Sequence, residues 1–212
     1  MNLIKNTFLV IFCKRIYFNF RKTKNIMNIS EAKEVLGEGF QRDADFITKI
    51  LDTLVLSPKQ RILDIGTGRG FMAIHLALKG LNVETGEPEK DNWADWRTNA
   101  KMVKVQNKIN FTPFSATAIP FENDFFDYVF LSNSFHHIDE KQKALKEINR
   151  VLKDSGKIVI LEFNKKGVER VRSQRPNHPD AVDPRTIPVD FEVTSEIIEE
   201  EFSNAYIFTV HK

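Results

Sequence analysis

Apolar and polar positions follow two different patterns along this chain. Short apolar runs, of which RILDIG at 61–66 and KIVILEF at 157–163 are the clearest, are typical of buried strands. Longer stretches with apolar residues three or four positions apart, such as DADFITKILDTLVL at 43–56, are typical of helices. The patterns predict strands at 61–66, 81–87, 108–114, 127–132, 157–163 and 205–212. They predict helices at 31–37, 41–55, 71–80, 89–105, 139–156 and 195–202.

The order of these elements predicts an α/β fold. Strands and helices alternate from residue 61 to residue 163, except that no predicted helix separates the strands at 108–114 and 127–132. Parallel neighbouring strands need a crossover connection, usually a helix, so alternation indicates a mostly parallel sheet. Successive crossovers cover both faces of such a sheet, which predicts a doubly wound arrangement with helices on both sides.

Charge is unevenly distributed between the N-terminus and the rest of the chain. Residues 1–26 contain six of the 31 lysines and arginines and no acidic residue. The remaining 25 basic residues face 29 acidic ones, so residues 27–212 carry a small excess of negative charge. A nucleic-acid-binding surface normally requires a basic balance. No nucleic-acid partner is therefore expected.

Composition also suggests how the chain is divided. Residues 1–26 are expected to be a disordered, basic N-terminal extension, either an anchor on a membrane surface or an extension upstream of a true start at Met27. The second interpretation is favoured. Residues 27–212 are predicted to form one domain, which begins with a helical part at 27–57. The segment 164–193 contains four prolines and is predicted to be a long loop or lid.

The cysteine content and the hydropathy suggest a cytoplasmic location. Cys13 is the only cysteine, so no intrachain disulfide can form, which fits a reducing compartment. No stretch approaches the roughly 20 apolar residues that a membrane-spanning helix requires. The oligomeric state cannot be inferred from these features.

The sequence LDIGTGRGF at 63–71 predicts a ligand-binding turn directly after a strand. Its glycines have the spacing G-x-G-x-G, whereas the dinucleotide fingerprint requires a further glycine at position 71, where this chain has Phe71. No G-K-[ST] follows, which excludes a P-loop. Glu87 lies 21 residues after Gly66 at the predicted end of the next strand, where a carboxylate can bind ribose hydroxyls. Glu84 competes for this role, and the pattern favours a nucleoside.

The motifs ILDIGTGRG, TGEP, SATAIPFENDFFDYVFLSNSFHHI and LKEINRVLKDSGKIVILEF resemble the class I S-adenosylmethionine-dependent methyltransferases. The resemblance covers about residues 40–165 and is strongest to the branch that acts on small molecules. It implies a Rossmann-like sheet of seven strands that ends in an antiparallel hairpin. Only one clear strand follows residue 202, so six or seven strands are expected, with the sixth near 187–193 if it is present.

The same resemblance implies a function and a set of binding residues. The function is transfer of a methyl group from S-adenosylmethionine to a small-molecule acceptor by in-line displacement. Ser132 and Asn133 would face the sulfonium and the substrate, and Ser115 stands where the family often has Asp, which weakens the expected contact with adenine. The other cofactor-binding candidates are Asp64, Gly66, Gly68 and Gly70 on the methionine side, Glu87 at the ribose and Ala116 beside adenine.

Other side chains suggest chemistry less specifically. His136 and His137 follow the fourth predicted strand, where a histidine could accept a proton from the acceptor, or could simply pack. His137 is the preferred catalytic candidate by resemblance. Glu162 ends the fifth predicted strand and could face the site or the solvent. Trp93 and Trp96 are expected to pack against the sheet or neighbouring helices rather than against adenine. The spacing of the acidic and histidine residues at 178–183 has no metal-ligand signature, so no metal site is expected.

Three alternative functions remain open. A macromolecular methyltransferase is less consistent with the sequence SNSF at 132–135, which contains no proline. Enzymes that methylate amino groups of nucleic acids typically have an Asn/Asp-Pro-Pro-aromatic sequence at this point. A cofactor-binding partner protein without catalysis is a second alternative, although the glycine loop and Glu87 are intact. A nicotinamide-dependent dehydrogenase is disfavoured by Phe71.

Overall fold

The computed structural model of the protein describes residues 26–89 and 95–212. The predictions for the extension up to residue 25, including Cys13, and for Trp93 lie outside these residues. Within the described ranges, no helix has the length and apolar character needed to cross a membrane.

Seven strands form one sheet in the order β3-β2-β1-β4-β5-β7-β6, which confirms the predicted doubly wound α/β fold. The first five strands are parallel to one another, whereas β7 runs antiparallel to both β5 and β6. The order in which the chain adds strands reverses at β1. Strands β2 and β3 lie on one side of β1, and β4 and β5 lie on the other. The strands are β1 (Ile62–Ile65), β2 (Val83–Gly86), β3 (Ile109–Phe111), β4 (Phe126–Ser132), β5 (Leu152–Phe163), β6 (Glu192–Glu199) and β7 (Ser203–His211).

Six α-helices lie in the described part of the chain, and they cover both faces of the sheet. Ile62 and Leu63, adjacent in β1, belong to two different hydrophobic clusters, one on each face. The cluster around Ile62 includes side chains of α1 to α4, and the cluster around Leu63 includes those of α5. The helices are α1 (Ile29–Leu36), α2 (Glu38–Thr53), α3 (Phe71–Leu78), α4 (Trp96–Met102), α5 (Lys141–Val151) and α6 (Lys165–Arg172).

The helix predicted at 195–202 is wrong, because residues 195–199 belong to strand β6 and residues 200–202 are not helical. Its adjacent isoleucines explain the difference. Ile197 packs against the hydrophobic cluster on one face of the sheet, and Ile198 packs against the cluster on the other face. A strand directs successive side chains to opposite faces, so only the extended conformation buries both isoleucines.

The segment 164–193, predicted as a loop or lid, begins with helix α6 instead. Asn164 caps this helix by accepting a hydrogen bond from the Gly167 N–H, at 3.0 Å. Gly167 itself packs closely against the chain at Phe202, where a Cβ would lie 1.9 Å from the Phe202 carbonyl oxygen. Residues 173–183 follow without a regular helix or strand, and a short 3₁₀ helix occupies Pro184–Thr186.

The helix predicted at 139–156 ends early. Helix α5 ends at Val151, and β5 begins at Leu152, which pairs with Phe126 of β4. Three residues further on, Ser155 has a positive φ of 60°, so the backbone at this point cannot continue a helix.

Candidate functional site

The predicted ligand-binding residues lie at the carboxyl ends of the parallel strands. The glycine loop of residues 66–70 follows β1, Glu87 follows β2, and residues 133–138 follow β4. Because β1 lies between β2 and β4, the loops after these three strands surround one position at the edge of the sheet. In open α/β sheets, ligands bind at the point where the strand order reverses.

The glycine loop has a backbone that only glycine adopts readily. Gly66, Gly68 and Gly70 have φ values of 89°, 48° and 76°, all in the left-handed region. Gly66 is also restricted by space, because a Cβ at this position would lie 2.5 Å from the Ser134 Cβ. Ser134 donates a hydrogen bond from its hydroxyl to the Ile65 carbonyl oxygen at 2.8 Å. The loops after β1 and β4 are therefore packed directly against each other.

Asp64 is buried behind this loop, with 1 % of its surface exposed. Thr85 donates a hydrogen bond to the Asp64 Oδ2 at 2.8 Å, and the Thr67 and Thr85 hydroxyls are also 2.8 Å apart. The Asp64 Oδ1 is buried and has no hydrogen-bond partner among the described residues. Burial raises the pKa of Asp64 to about 7, the bond from Thr85 lowers it, and the charge of Glu87 raises it further.

The structure distinguishes between the two glutamates considered for the ribose. The Gly68 N–H donates a hydrogen bond to the Glu87 Oε2 at 2.8 Å, so this carboxylate contacts the glycine loop. Glu84 lies within β2 and accepts a hydrogen bond from the Asn110 Nδ2 of β3, at 3.0 Å. Of the two carboxylates, Glu87 is the one bonded to the loop.

The candidates beside adenine follow β3. The Phe114 N–H donates to the Glu87 carbonyl oxygen at 3.1 Å, which brings Ser115 and Ala116 next to Glu87. The Ser115 side chain is exposed, and its hydroxyl lies 2.9 Å from the Thr117 hydroxyl, whereas Ala116 is buried.

Ser132 and Asn133 occupy the end of β4 and the first position after it. Ser132 is half-buried and pairs with Leu161 of β5. Asn133 has a φ of 50°, a conformation that asparagine tolerates better than most residues. Its N–H donates to the Leu161 carbonyl oxygen at 2.8 Å, and its side-chain Oδ1 is buried without a hydrogen-bond partner among the described residues.

The two histidines after β4 have different surroundings. His136 is buried, and its Nδ1 lies 2.6 Å from the Oε2 of Glu162, which is also buried. His137 is exposed, and its pKa is lowered by partial burial and by the neighbouring His136 and His178. His178 brings a third imidazole to this point from residues 173–183, with its ring centroid 4.8 Å from that of His136.

Sequence reasoning did not predict that His178 joins the other two histidines. The sequence places His178 in a charged segment that could be solvated surface, a lid that touches the substrate or, with less support, a metal site, and it leaves open whether Glu162 faces the site. Among the described residues, no group of three or more histidine, cysteine or acidic side chains is arranged to hold a metal ion.

Helix α2, near the N-terminus, also reaches the site. A Cβ at Gly39 of α2 would lie 3.0 Å from the Arg69 guanidinium and 3.3 Å from the Phe71 ring, so α2 packs against the glycine loop. The Arg42 guanidinium lies 5.7 Å from the centroid of Phe163, at the end of β5. Trp96, at the start of α4, is buried and stacks on Phe111 of β3, which confirms that it packs against the sheet.

Comparison with known proteins identifies a family for this arrangement. Residues 63–160, from β1 to β5, match the family described as "Methyltransferase domain". The chain is 34% identical over 122 residues to the ubiquinone/menaquinone biosynthesis C-methyltransferase UbiE of Pectobacterium atrosepticum, covering 53% of this chain and 46% of that protein. It is 30% identical over 165 residues to the demethylmenaquinone methyltransferase of Clavibacter sepedonicus, covering 77% and 65%. The chain thus spans less than two thirds of the length of either relative.

A solved structure shares the fold. The crystal structure of an S-adenosylmethionine-dependent methyltransferase from Aquifex aeolicus superposes with a TM-score of 0.62 at 18% identity, covering 87% of this chain and 99% of that one. The sheet order, the glycine loop and the matched domain agree with one another. Residues 63–160 therefore belong to this methyltransferase domain family, and the sheet has the fold of a solved S-adenosylmethionine-dependent methyltransferase.

Proposed function

We propose that this protein transfers a methyl group from S-adenosylmethionine to a small-molecule acceptor. The observation that carries the proposal is the hydrogen bond between the Gly68 N–H and the Glu87 carboxylate, which joins the glycine loop to the acid that we assign to the ribose. The matched methyltransferase domain supports it independently. The macromolecular alternative gains no support from the relatives, which are named for quinone biosynthesis.

The side chains at the site fit the proposed cofactor. Asp64 and Asn133 each have a buried side-chain oxygen without a partner among the described residues. Unpaired buried oxygens are costly, and the cofactor carries an ammonium group and hydroxyls that can donate to them. Asp64 and the glycine loop would hold the methionine part, Glu87 the ribose, and Ser115 and Ala116 the adenine. Ser132 and Asn133 would face both the sulfonium of the cofactor and the acceptor.

When bound, S-adenosylmethionine supplies an electrophilic methyl group, and the protein has three tasks around it. The loops after β1 and β4 position the acceptor and exclude water. A histidine after β4 accepts the proton that the acceptor loses. The sequence favours His137 for this step. The geometry favours His136, because a base that is oriented by a carboxylate is the usual arrangement.

The names of the relatives suggest a finer proposal, which is that the acceptor is a ring compound related to quinols. Incubation with S-adenosylmethionine and reduced 1,4-naphthoquinone, followed by mass spectrometry, should detect both a methylated naphthol product and S-adenosylhomocysteine. Binding of the cofactor without any product from a panel of acceptors would instead favour a non-catalytic partner protein. The cytoplasmic location remains a prediction from the sequence.

Glu87→Gln is expected to weaken binding of both S-adenosylmethionine and S-adenosylhomocysteine by about 10- to 100-fold, because a hydrogen bond to a charged group contributes about 1.5–3 kcal/mol. Isothermal titration calorimetry measures both affinities. Glu84→Gln is the matched control, since Glu84 lies in the same strand region but binds Asn110 instead of the loop. Equal effects of the two substitutions would contradict the assignment of Glu87 to the ribose.

A further inference from the structure

Three histidines form a compact group at the acceptor side of the site. We call His136, His137 and His178 the histidine cluster. The ring centroid of His136 lies 4.0 Å from that of His137 and 4.8 Å from that of His178, and the last two are 6.2 Å apart. Phe163 completes the group, with its ring 5.7 Å from His178 and 6.5 Å from His136. The cluster joins the loop after β4, the end of β5 and the segment after α6.

Glu162 fixes the tautomer of His136. The Glu162 Oε1 accepts a hydrogen bond from the His136 backbone N–H at 3.1 Å, and the Oε2 lies 2.6 Å from the His136 Nδ1. A carboxylate that accepts at both oxygens requires a proton on Nδ1. In the neutral imidazole the lone pair is then on Nε2. That nitrogen is buried and has no hydrogen-bond partner among the described residues.

His178 is held in the same tautomer by its own segment. Its Nδ1 lies 2.9 Å from the Pro179 carbonyl oxygen, which can only accept, so the proton of the neutral ring is on Nδ1. Arg172 of α6 fixes the backbone around it, donating from Nε to the His178 carbonyl oxygen at 2.8 Å and pairing with Asp180. His178 therefore also presents Nε2 as an acceptor.

The other charged groups near the cluster do not supply the missing donor. The Lys141 Nζ donates to the carbonyl oxygens of Ile138 and His136, and so faces the backbone. The pKa of His137 is lowered by partial burial and by the two neighbouring imidazoles, which disfavours protonation of His137 at neutral pH. Neutral imidazoles with Nε2 lone pairs bind hydrogen-bond donors better than they bind anions.

We propose that His136 and His178 bind the methyl acceptor through a hydroxyl or N–H group on an aromatic ring, and that Glu162 is the positioning residue that keeps the His136 Nε2 available to accept. This inference rests on the proposed function. A buried hydrogen-bond acceptor without a partner, such as the His136 Nε2, is unfavourable, and a hydroxyl or N–H donor on the methyl-accepting substrate removes that cost. The faces of Phe163 and the imidazoles suit a flat ring. The segment at 173–183 thus contributes a contact to the acceptor.

The test compares two aromatic probes that differ in one donor. Protein labelled with ¹⁵N is titrated with 2-naphthol and with 2-methoxynaphthalene, with and without S-adenosylhomocysteine, and the imidazole nitrogens are followed by NMR. We expect 2-naphthol to bind at least about tenfold more tightly and to shift the Nε2 resonances of His136 and His178. Equal affinities, or no binding of 2-naphthol, would overturn the inference.

Two variants separate positioning from direct contact. Glu162→Gln should change the tautomer of His136 in the NMR spectrum, because an amide cannot accept hydrogen bonds at both of its atoms. It should also weaken the binding of 2-naphthol by about tenfold. His178→Ala should weaken the binding of 2-naphthol to a similar extent but leave the His136 tautomer unchanged. His211→Ala, which removes an exposed histidine at the end of β7, is the control and should change neither measurement.

The affinity for S-adenosylhomocysteine on the same samples reports separately on the proposed function. Wild-type protein that binds this compound but does not discriminate between the two probes contradicts only the inference about the cluster. Wild-type protein that discriminates between the probes but does not bind S-adenosylhomocysteine contradicts the proposed function and leaves the donor site supported. An unchanged His136 tautomer in Glu162→Gln would refute the positioning role of Glu162.

Discussion

The Asp64→Asn variant is expected to be more stable than the wild-type protein without cofactor, and to bind S-adenosylmethionine far more weakly. Asp64 is buried, and its Oδ1 has no partner among the described residues, so its negative charge is unfavourable in the empty site. Burial raises its pKa from 3.8 to about 7. A shift of this size corresponds to a cost of up to about 4 kcal/mol above pH 7, which an amide does not incur.

Binding should change in the opposite direction. The proposed partner of Asp64 is the ammonium group of the cofactor, and removing one member of a buried charged pair costs about 2–5 kcal/mol. We therefore expect at least about a 30-fold loss of affinity at pH 8, with a Tm about 5–10 °C higher. Asp45→Asn, which removes an exposed carboxylate of helix α2, is the matched control and should change neither value. A lower Tm or an unchanged affinity for Asp64→Asn would contradict this assignment.

The pH dependence of stability tests the same charge by a second route. Between pH 3.8 and about 7 the folded protein holds a proton on Asp64 that the unfolded chain has lost, so this group makes stability fall as pH rises. His75 has the opposite effect, because burial lowers its pKa from 6.5 to about 4 and the unfolded chain binds the extra proton between these values. The two contributions offset each other between about pH 4 and pH 6.5. In Asp64→Asn only that of His75 remains, so the Tm of the variant should fall more steeply on acidification.

Gly66→Ala should destabilise the protein by about 3 kcal/mol or more and abolish measurable cofactor binding. A left-handed backbone costs a non-glycine residue about 1–2 kcal/mol, and overpacking adds about 1–3 kcal/mol. At Gly66 both terms apply, since φ is 89° and a Cβ would lie 2.5 Å from the Ser134 Cβ. Chemical denaturation measures the first effect and calorimetry measures the second.

Gly80→Ala is the control for the backbone term alone. Gly80 has a φ of 91°, nearly the same as Gly66, but no atom lies within 4 Å of a Cβ placed there. It should lose only about 1–2 kcal/mol and bind the cofactor normally. In the Gly66→Ala background, Ser134→Gly removes the contacting Cβ and should recover part of the lost stability. Equal destabilisation by Gly66→Ala and Gly80→Ala would mean that the contact with Ser134 is unimportant.

Much of the fold could be predicted because local patterns determine it. The alternation of apolar runs and helical spacings from 61 to 163 predicts β1 to β5 and the helices between them, because each element has its own periodicity. The glycine spacing and Glu87 are likewise local signals, and the structure brings these residues into contact. The predicted roles of these residues in cofactor binding await the measurements above.

The elements that sequence reasoning missed depend on contacts between distant residues. Strand β6 forms because β7 pairs along it and two hydrophobic clusters bury opposite sides of it, neither of which is visible in SEIIEEEF. His178 lies about 40 residues from His136 in the sequence, within a polar, proline-rich segment. Only the folded chain shows that Glu162, His136 and His178 are neighbours.

The position of β6 as the last strand in the order has a consequence for self-association. Within the described chain, β7 pairs with one side of β6, and an open strand edge is a template on which a second molecule can add a strand. Glu192, Glu196 and Glu199 place three negative charges along this strand, and all three are exposed. Like charges brought together at such an edge repel each other, so the glutamates that obscure β6 in the sequence also protect the folded protein against edge-to-edge aggregation.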